Sequence, residues 1–508
     1  MTPAILAIDL GSSTVKAAVV DHGGVLLGTG ARPIDLTLGD DGAAEQDPDQ
    51  LWQAVKQACC QALQGSNADI AGREIVGHEI VGLSCSSQYS SLIPVDEAGD
   101  ALANLLLWRD TRGARHAKAL VDSMPGSRQT WMEIHGLPPS PEGRDTLAHM
   151  LYFKHQAPEI YDRVHAFLEP VDFLNLRFTG VIAATQASVY KMLLTDNRRT
   201  DLTRYDPTLL ALAGIDEDKL PPLLDLDAVI GEVRAAVARE LGLPGGVKVL
   251  CGVNDNHAVA LGTGALEPGR AGLSIGTTAN ISALVVGLRT DLTRRLASMP
   301  SPFAGSHMVM AENGMGGKVL ELILGQMLLP DEADPFAVLE RVASRAAPGS
   351  GGLLFLPWIN GAGSPAQNAK ARAGFLDISV ETTRDDMLTS VLEGIAFNLR
   401  WLNLAVEDFV GGRFERMMFA GGGAQSAAWS QILADVLERP VHRMADPRHT
   451  PCKGLAYRAF VRLGHLDADA GDDFLRVAEV YDPRPEHRAL YDTLYARFLK
   501  AYERNYKR

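Results

Sequence analysis

Asp9 closes an apolar run, Ile5-Leu-Ala-Ile, and is followed by Leu-Gly-Ser-Ser-Thr14 and a second apolar run from Val15 to Val20. This reads as strand, acidic residue, small polar turn, strand. The tip of such a hairpin is suited to phosphate. Gly11 allows close backbone approach. Ser12, Ser13 and Thr14 place hydroxyl donors beside their own N–H groups. Asp9 could hold a hydrated Mg²⁺ next to those phosphates. Lys16, on the second strand, could reach phosphate or stay solvated. An ordinary hairpin with a small-residue turn is the competing reading. The pattern recurs halfway along, in Gly272-Leu-Ser-Ile-Gly276-Thr277-Thr278 and the apolar strand after it. Two such hairpins suggest one large unit used twice, with a nucleotide between the copies. The sequence holds no G-x-x-x-x-G-K-[ST] segment, which excludes a P-loop grip.

Asp255 lies between Asn254 and Asn256, just past the apolar stretch Val247 to Val253. A carboxylate there could take a proton from an acceptor hydroxyl. It could equally cap the next helix, and the residues alone leave both readings open. His257 is an alternative base, but its place at the start of a buried helix favours a packed or hydrogen-bonded role. Val76 to Cys85 reads as a strand ending in the small polar cluster Ser84 to Ser91. Ligands of α/β sheets bind beyond the carboxyl ends of strands, so this cluster is a site candidate. Met417 to Ser426 repeats strand, Gly-rich loop and helix start. Its glycines would let a nucleotide lie on the backbone, with the helix N-terminus near its anionic part.

The elements that must position these residues follow from spacing. Pro48 suits a first helical turn, and Leu51, Val55, Ala58 and Ala62 recur at helical intervals. Residues 126–246 mix helices with Pro-rich loops and should complete a first domain, with the switch to a second just past Val253. Thr382 and Thr383, three residues before Asp385 and Asp386, predict a capping-box start, and Leu388, Leu392, Ile395, Leu399 and Leu402 mark one apolar face. Pro447 to Pro451 reads as a loop, and the chain after Asp482 as a charged helix. With no low-complexity linker, the domains should be hinged and not tethered.

At 508 residues the chain has room for two or three domains and ample core. A formal charge of −14 disfavours nonspecific nucleic-acid or membrane binding. No signal-peptide pattern and no run of membrane-helix length occurs. Five scattered cysteines without a CxxC pair imply free thiols in a reducing cytoplasm. Thirteen histidines form neither HxxxH nor HExxH, so a zinc site is not expected.

From Ile5 to about Gly464 the chain resembles the FGGY carbohydrate kinases, most nearly the xylulokinases among them. The resemblance rests on Ala7-Ile-Asp-Leu-Gly-Ser-Ser, Glu45-Gln-Asp-Pro48, Trp108-Arg-Asp-Thr-Arg112, Gly252-Val-Asn-Asp-Asn256 and Ser274-Ile-Gly-Thr-Thr278. Gly352-Leu-Leu-Phe-Leu-Pro357, Leu392-Glu-Gly-Ile-Ala-Phe397 and Gly421-Gly-Gly-Ala-Gln-Ser426 follow in the expected order. The resemblance implies an α/β fold of two actin-like ATPase (ribonuclease H-like) domains with a catalytic cleft between them. Residues 1–258 would be the sugar-binding side, 259–490 the nucleotide-binding side and 491–508 a helical tail. It implies ATP-dependent phosphorylation of a sugar hydroxyl, on a ketopentose such as D-xylulose, with Mg²⁺. Asp255 would be the general base and Asp9 the metal-linked carboxylate. Gly11, Ser12, Ser13, Thr14 and Lys16 would face Gly276, Thr277 and Thr278 across the phosphates. Gly422 and Gly423, with Gln425 and Ser426 nearby, would lie at the adenosine. Gly316 is either another nucleotide contact or a helix-entry turn.

The acceptor would meet Gln88, Tyr89, Ser90, Asp255 and Asn256. Here the chain departs from the family: xylulokinases commonly carry Gly-Gln-Met-His-Gly where this sequence has Ser87-Gln-Tyr-Ser-Ser91. Gluconate kinases commonly show Met-His-Ser there and glycerol kinases an Arg-Glu pair, and neither is present. Trp108, Asp110 and Arg112 read as a buried aromatic with an ion pair behind the sugar site. The alternatives are a kinase for another polyol, ketose or sugar acid, and an actin-like ATPase without a small acceptor. A homodimer is the assembly implied by the family.

Overall fold

The computed structural model describes residues 1–65 and 77–506. Val76, the expected start of the third long strand, lies outside the described residues; the strand itself runs His78–Ser87.

The first hairpin pairs Thr2–Leu10 with Thr14–Asp21, and Asp9 falls opposite Lys16. Thr14–Asp21 continues antiparallel to Leu26–Pro33. On the other side His78–Ser87 runs parallel to Thr2–Leu10, bringing Ser86 beside Asp9. Lys248–Leu250 is parallel to His78–Ser87, and Val229–Glu232 closes the edge antiparallel. The second sheet repeats this order strand for strand. Arg270–Ile275 pairs antiparallel with Thr278–Val285, which pairs antiparallel with His307–Met315. Arg416–Ala420 lies parallel to Arg270–Ile275, Val441–Met444 parallel to that, and Val477–Tyr481 antiparallel at the edge. Two further strands extend it to an eight-stranded sheet, against seven strands in the first. The duplication read from the two hairpins therefore extends to six strands of each sheet.

Buried aliphatics build one core under each sheet. The helix Pro48–Leu63 covers the first sheet, started by Asp47, whose side chain accepts from the N–H groups of Asp49 and Gln50. The helix Arg384–Val410 covers the second, with the expected capping box between Thr383 and Asp386. Residues 126–246 do more than complete the first domain. Trp131, Leu147, Phe153, Met192 and Leu209 join Leu92 and Leu106 in a core of their own. The charged helix expected after Asp482 runs Arg488–Tyr506. Its Tyr491, Leu494, Phe498 and Tyr502 pack into the second core. Pro447 to Pro451 is not all loop: a short 3-10 turn, Pro447–His449, leads into the helix Thr450–Arg462, with Pro451 in its first turn.

The two halves meet at a helix crossing. Asp255–Thr263 leaves the first sheet, Thr450–Arg462 leaves the second, and they pack on each other. A Cβ on Gly262 would lie 2.0 Å from the Thr450 carbonyl oxygen, and one on Gly454 2.3 Å from the Gly262 nitrogen. Glycine at both positions is what lets the backbones approach so closely.

Candidate active site

The first hairpin and its parallel neighbour assemble a polar cluster at their carboxyl ends. Asp9 is buried, and its Oδ1 accepts from the Ser86 hydroxyl at 2.8 Å. Its Oδ2 lies 4.0 Å from Lys16 Nζ. Ser13 stays open at the rim, with Thr14 and Lys16 half-buried. A Cβ on Gly11 would approach the Thr14 carbonyl oxygen to 3.1 Å, so Gly11 keeps the turn tight. Ser12 behaves differently from its neighbours. Its hydroxyl donates to Gln88 Oε1 at 2.5 Å, its carbonyl accepts from Gln46 Nε2 at 2.8 Å, and Gln88 Nε2 donates to Gln46 Oε1 at 3.0 Å. Ser12 is thus tied to the candidate acceptor wall and is not a free phosphate donor.

Trp108 corrects the expectation of a buried aromatic. It is 38% exposed, and its indole N–H donates to Ser12 Oγ at 3.1 Å, placing the ring on the same wall. The ion pair behind it is present: Arg112 donates to Asp110 and also to Glu45. Ser90 sits at φ 62°, and its buried hydroxyl is engaged within the protein, donating to the Arg144 carbonyl at 2.7 Å. Tyr89 is half-buried against Tyr190, Met299 and Met308, and its hydroxyl hydrogen-bonds Asn256. Burial first, then the negative charge of Asp255, raises the pKa of this phenol.

Asp255 owes its freedom to its neighbour. The helix cap is Asn254, whose side chain accepts from the His257 N–H at 2.9 Å. That takes over the capping role the sequence left open for Asp255. The Asp255 carboxylate accepts from the Asn256 N–H at 2.9 Å and from its own backbone N–H. Burial first, then Asp9 of the first sheet and Glu312 of the other half, push its pKa up to about 7. His257 is fully buried and bonded to the Pro300 carbonyl, and burial lowers its pKa to about 3. It is the packed histidine expected, not a competing base.

The second copy supplies the opposite wall. Gly276 and Thr277 are exposed at the hairpin tip, and Thr278 is half-buried. Nothing lies within 4 Å of a Cβ built on Gly276. Gly316 opens the helix Gly317–Ile323, and a Cβ there would press on Ala279 at 3.0 Å and Ile275 at 3.1 Å. Gly317 donates to the Gly276 carbonyl at 2.7 Å. The helix-entry reading of Gly316 therefore has a packing reason. In the Gly-rich loop, Gly422 faces open space, whereas a Cβ on Gly423 would meet Ile275 and Trp429 at 2.9 Å. Gln425 is exposed beside it. Ser426 caps the helix Ala427–Leu437 and donates to Glu340 Oε2 at 2.5 Å, so its hydroxyl is engaged within the protein.

Three residues of the site escaped the sequence reading. Gln46 and Trp108 sat inside quoted motifs without a site role. Glu312 was visible only as the residue before Asn-Gly-Met, and its direction is set by strand register, which a lone sequence does not print. Among the described residues no group of three or more His, Cys, Asp or Glu could hold a metal alone. An ion at Asp9 would draw its remaining ligands from phosphate oxygens and water, which is the habit of Mg²⁺. The chemistry this geometry allows is proton abstraction by Asp255 from a hydroxyl held near Gln88 and Tyr89, with the polar hairpin tips available to phosphate.

Comparison with known proteins places the chain in a family. The family model for the N-terminal domain of the FGGY family of carbohydrate kinases matches residues 4–262, and that for its C-terminal domain residues 273–463. A xylulose kinase of Staphylococcus epidermidis is 28% identical over 505 residues, covering 99% of this chain and 96% of that protein. A gluconokinase of Bacillus licheniformis is 25% identical over 513 residues, covering 98% and 95%. The crystal structure of a gluconate kinase from Lactobacillus acidophilus superimposes with a TM-score of 0.84 at 22% identity, covering 99% of this chain and 98% of that one. Its fold is the two-domain, actin-like fold of carbohydrate kinases. The chain belongs to the FGGY family of carbohydrate kinases, enzymes that transfer a phosphoryl group to a sugar hydroxyl.

Proposed function

We propose that this kinase phosphorylates a ketopentose such as D-xylulose with ATP, using Asp255 as general base. The observation that carries the reading is Asp255 itself. It is released from capping by Asn254, poised near neutral pH, and set beside Tyr89 and Asn256. The Asp255 carboxylate would take the proton of the attacking hydroxyl as the oxygen engages the γ-phosphorus. Gln88, held by Ser12 and Gln46, would orient the sugar through its amide. Ser13, Thr14 and Lys16 would face Gly276, Thr277 and Thr278 across the phosphates, with the adenosine along Gly422 and Gln425. Asp9 would hold Mg²⁺ through water, and the ion would neutralise charge on the transferred group.

We divide the chain near residue 258 into an acceptor-binding half and a nucleotide-binding half, and place its final helix with the latter. The five cysteines are free, as suits a cytoplasmic enzyme. Among the described residues no helix is long and apolar enough to cross a membrane. A homodimer is the assembly carried forward, and sedimentation of the purified chain tests it. The second reading, a sugar-acid kinase, is favoured by the gluconokinase relative. A coupled ADP-release screen over ketopentoses, ketohexoses, polyols and aldonic acids tests both. D-xylulose should give the highest kcat/KM, and turnover with aldonates alone would overturn the first reading.

A further inference from the structure

Strand His307–Met315 alternates sharply near its end. Ala311 and Asn313 are buried, and Glu312 between them points outward, opposite Asn280 on the neighbouring strand. Asn280 in turn pairs with Ser274, the second-sheet counterpart of Asp9, so Glu312 shares the face and the sheet end that Asp9 occupies in the first copy, and its charge reaches Asp255 and Tyr89 of the other half. Glu312 is open to solvent, yet the surrounding walls desolvate it enough to raise its pKa. No hydrogen bond or ion pair among the described residues engages its carboxylate. Lys16, the cation of the site, stands on the far side against Asp9.

An ionised carboxylate is an acceptor only, with lone pairs for several donors. Across the cleft stand Asp255, which must accept the proton of the reacting hydroxyl, and Gln88, whose amide both donates and accepts. A polyhydroxylated acceptor supplies the donors that Glu312 lacks. A carboxylate-bearing acceptor supplies none at its charged end. It would also place a further negative charge beside Asp9, Asp255 and Glu312, and like charges at close range disfavour one another.

We propose that Glu312 is an acceptor-specificity residue. It accepts a hydrogen bond from a sugar hydroxyl across the cleft and makes the site select uncharged ketoses and polyols over aldonic acids. This rests on the kinase reading above and narrows its substrate class.

The test compares wild type with Glu312→Gln and Glu312→Asp in the full-length chain. The probes are D-xylulose, D-ribulose and glycerol as uncharged acceptors and D-gluconate as the charged one. Wild type should favour the best uncharged acceptor over D-gluconate in kcat/KM. Glu312→Gln keeps the shape but loses the charge-assisted bond. It should raise KM for the uncharged acceptor about tenfold, leave KM for ATP unchanged, and shrink the preference about tenfold. Glu312→Asp, which keeps the charge, should retain the preference against D-gluconate. An unchanged acceptor KM and preference in Glu312→Gln, or a wild type that prefers D-gluconate, would overturn the proposal. ADP release with none of the probes would count against the kinase reading itself. Equilibrium binding of the same sugars to wild type and Glu312→Gln then still decides the role of Glu312.

Discussion

Asp255 can accept a proton only when ionised, and burial, Asp9 and Glu312 all oppose its ionisation. With the pKa pushed up to about 7, kcat/KM for the acceptor should climb with pH along a one-proton limb centred there and then level off. A flat profile from about pH 5.5 to 8 would take the base away from Asp255. Asp255→Asn should bind ATP normally and turn over 10²–10⁴-fold more slowly, in the usual range of about that size for a positioned base. The same shift has a stability sign. A carboxyl whose folded pKa exceeds its unfolded value stabilises the fold fully below the unfolded value, and that contribution is lost as pH rises through about 7. Asparagine mimics the neutral form at every pH. The melting temperature of Asp255→Asn relative to wild type should therefore rise with pH across this window, and a constant offset would contradict the assignment. Gln88→Ala and Tyr89→Ala should raise KM for the sugar and spare KM for ATP. Asp9 and Asp255 were legible because each sits beside residues that announce a turn or a helix start. The hydroxyls of Ser12 and Ser90 were not, because their partners, Gln88 and the Arg144 carbonyl, lie 76 and 54 residues away. Trp108 was misread because burial is the default for a large aromatic, and only its bond to Ser12 shows why it stays at the surface.

Glycine-rich loops hold still only when something fastens their ends. The Gly421 to Ser426 loop is fastened by Glu340, whose carboxylate accepts from the Ser426 hydroxyl at 2.5 Å and from the Ala428 N–H at 3.0 Å. Glu340→Ala should release the start of helix Ala427–Leu437 and raise KM for ATP several-fold while leaving acceptor KM in place. Steady-state kinetics varying each substrate in turn would check this, and an equal rise in both constants would point to general unfolding instead. At this scale the sequence was most informative where local chemistry decides the outcome. Asp47-Pro48 and the Thr383/Asp386 box start helices as their residue types predict. It was least informative where packing decides. Nothing in residues 126–246 announces that Trp131 and Leu147 build a separate core. The distinction between Gly422, facing open space, and Gly423, pressed on Ile275 and Trp429, exists only in three dimensions.

The halves meet backbone to backbone at Gly262 and Gly454, and around that crossing Ile5, Val253 and Leu261 pack with Met418, Leu455 and Phe460, so any rotation between the halves turns about this shared apolar layer. ATP and sugar lying between the halves should draw them together, which excludes water from the transfer. The radius of gyration from small-angle scattering should shrink when D-xylulose and a non-hydrolysable ATP analogue are both present, and an unchanged value at saturation would contradict closure. Gly454→Ala would force a methyl to within 2.3 Å of the Gly262 nitrogen. Overpacking of this kind costs about 1–3 kcal/mol, and the variant should melt earlier and close less. The repeat of six strands carries one more consequence. A molecule made from two equal copies has no built-in direction, and group transfer requires one. The copies differ where it counts: Asp9 has Lys16 and Ser86 as its neighbours across the sheet, whereas the matching Ser274 has Asn280 and Ala420. The first copy carries Asp9 and Lys16 at these positions, where the second carries Ser274 and Asn280 and places its charge one strand away, at Glu312. Under the division proposed above, that broken symmetry would separate a donor end from an acceptor end and set the polarity of the reaction.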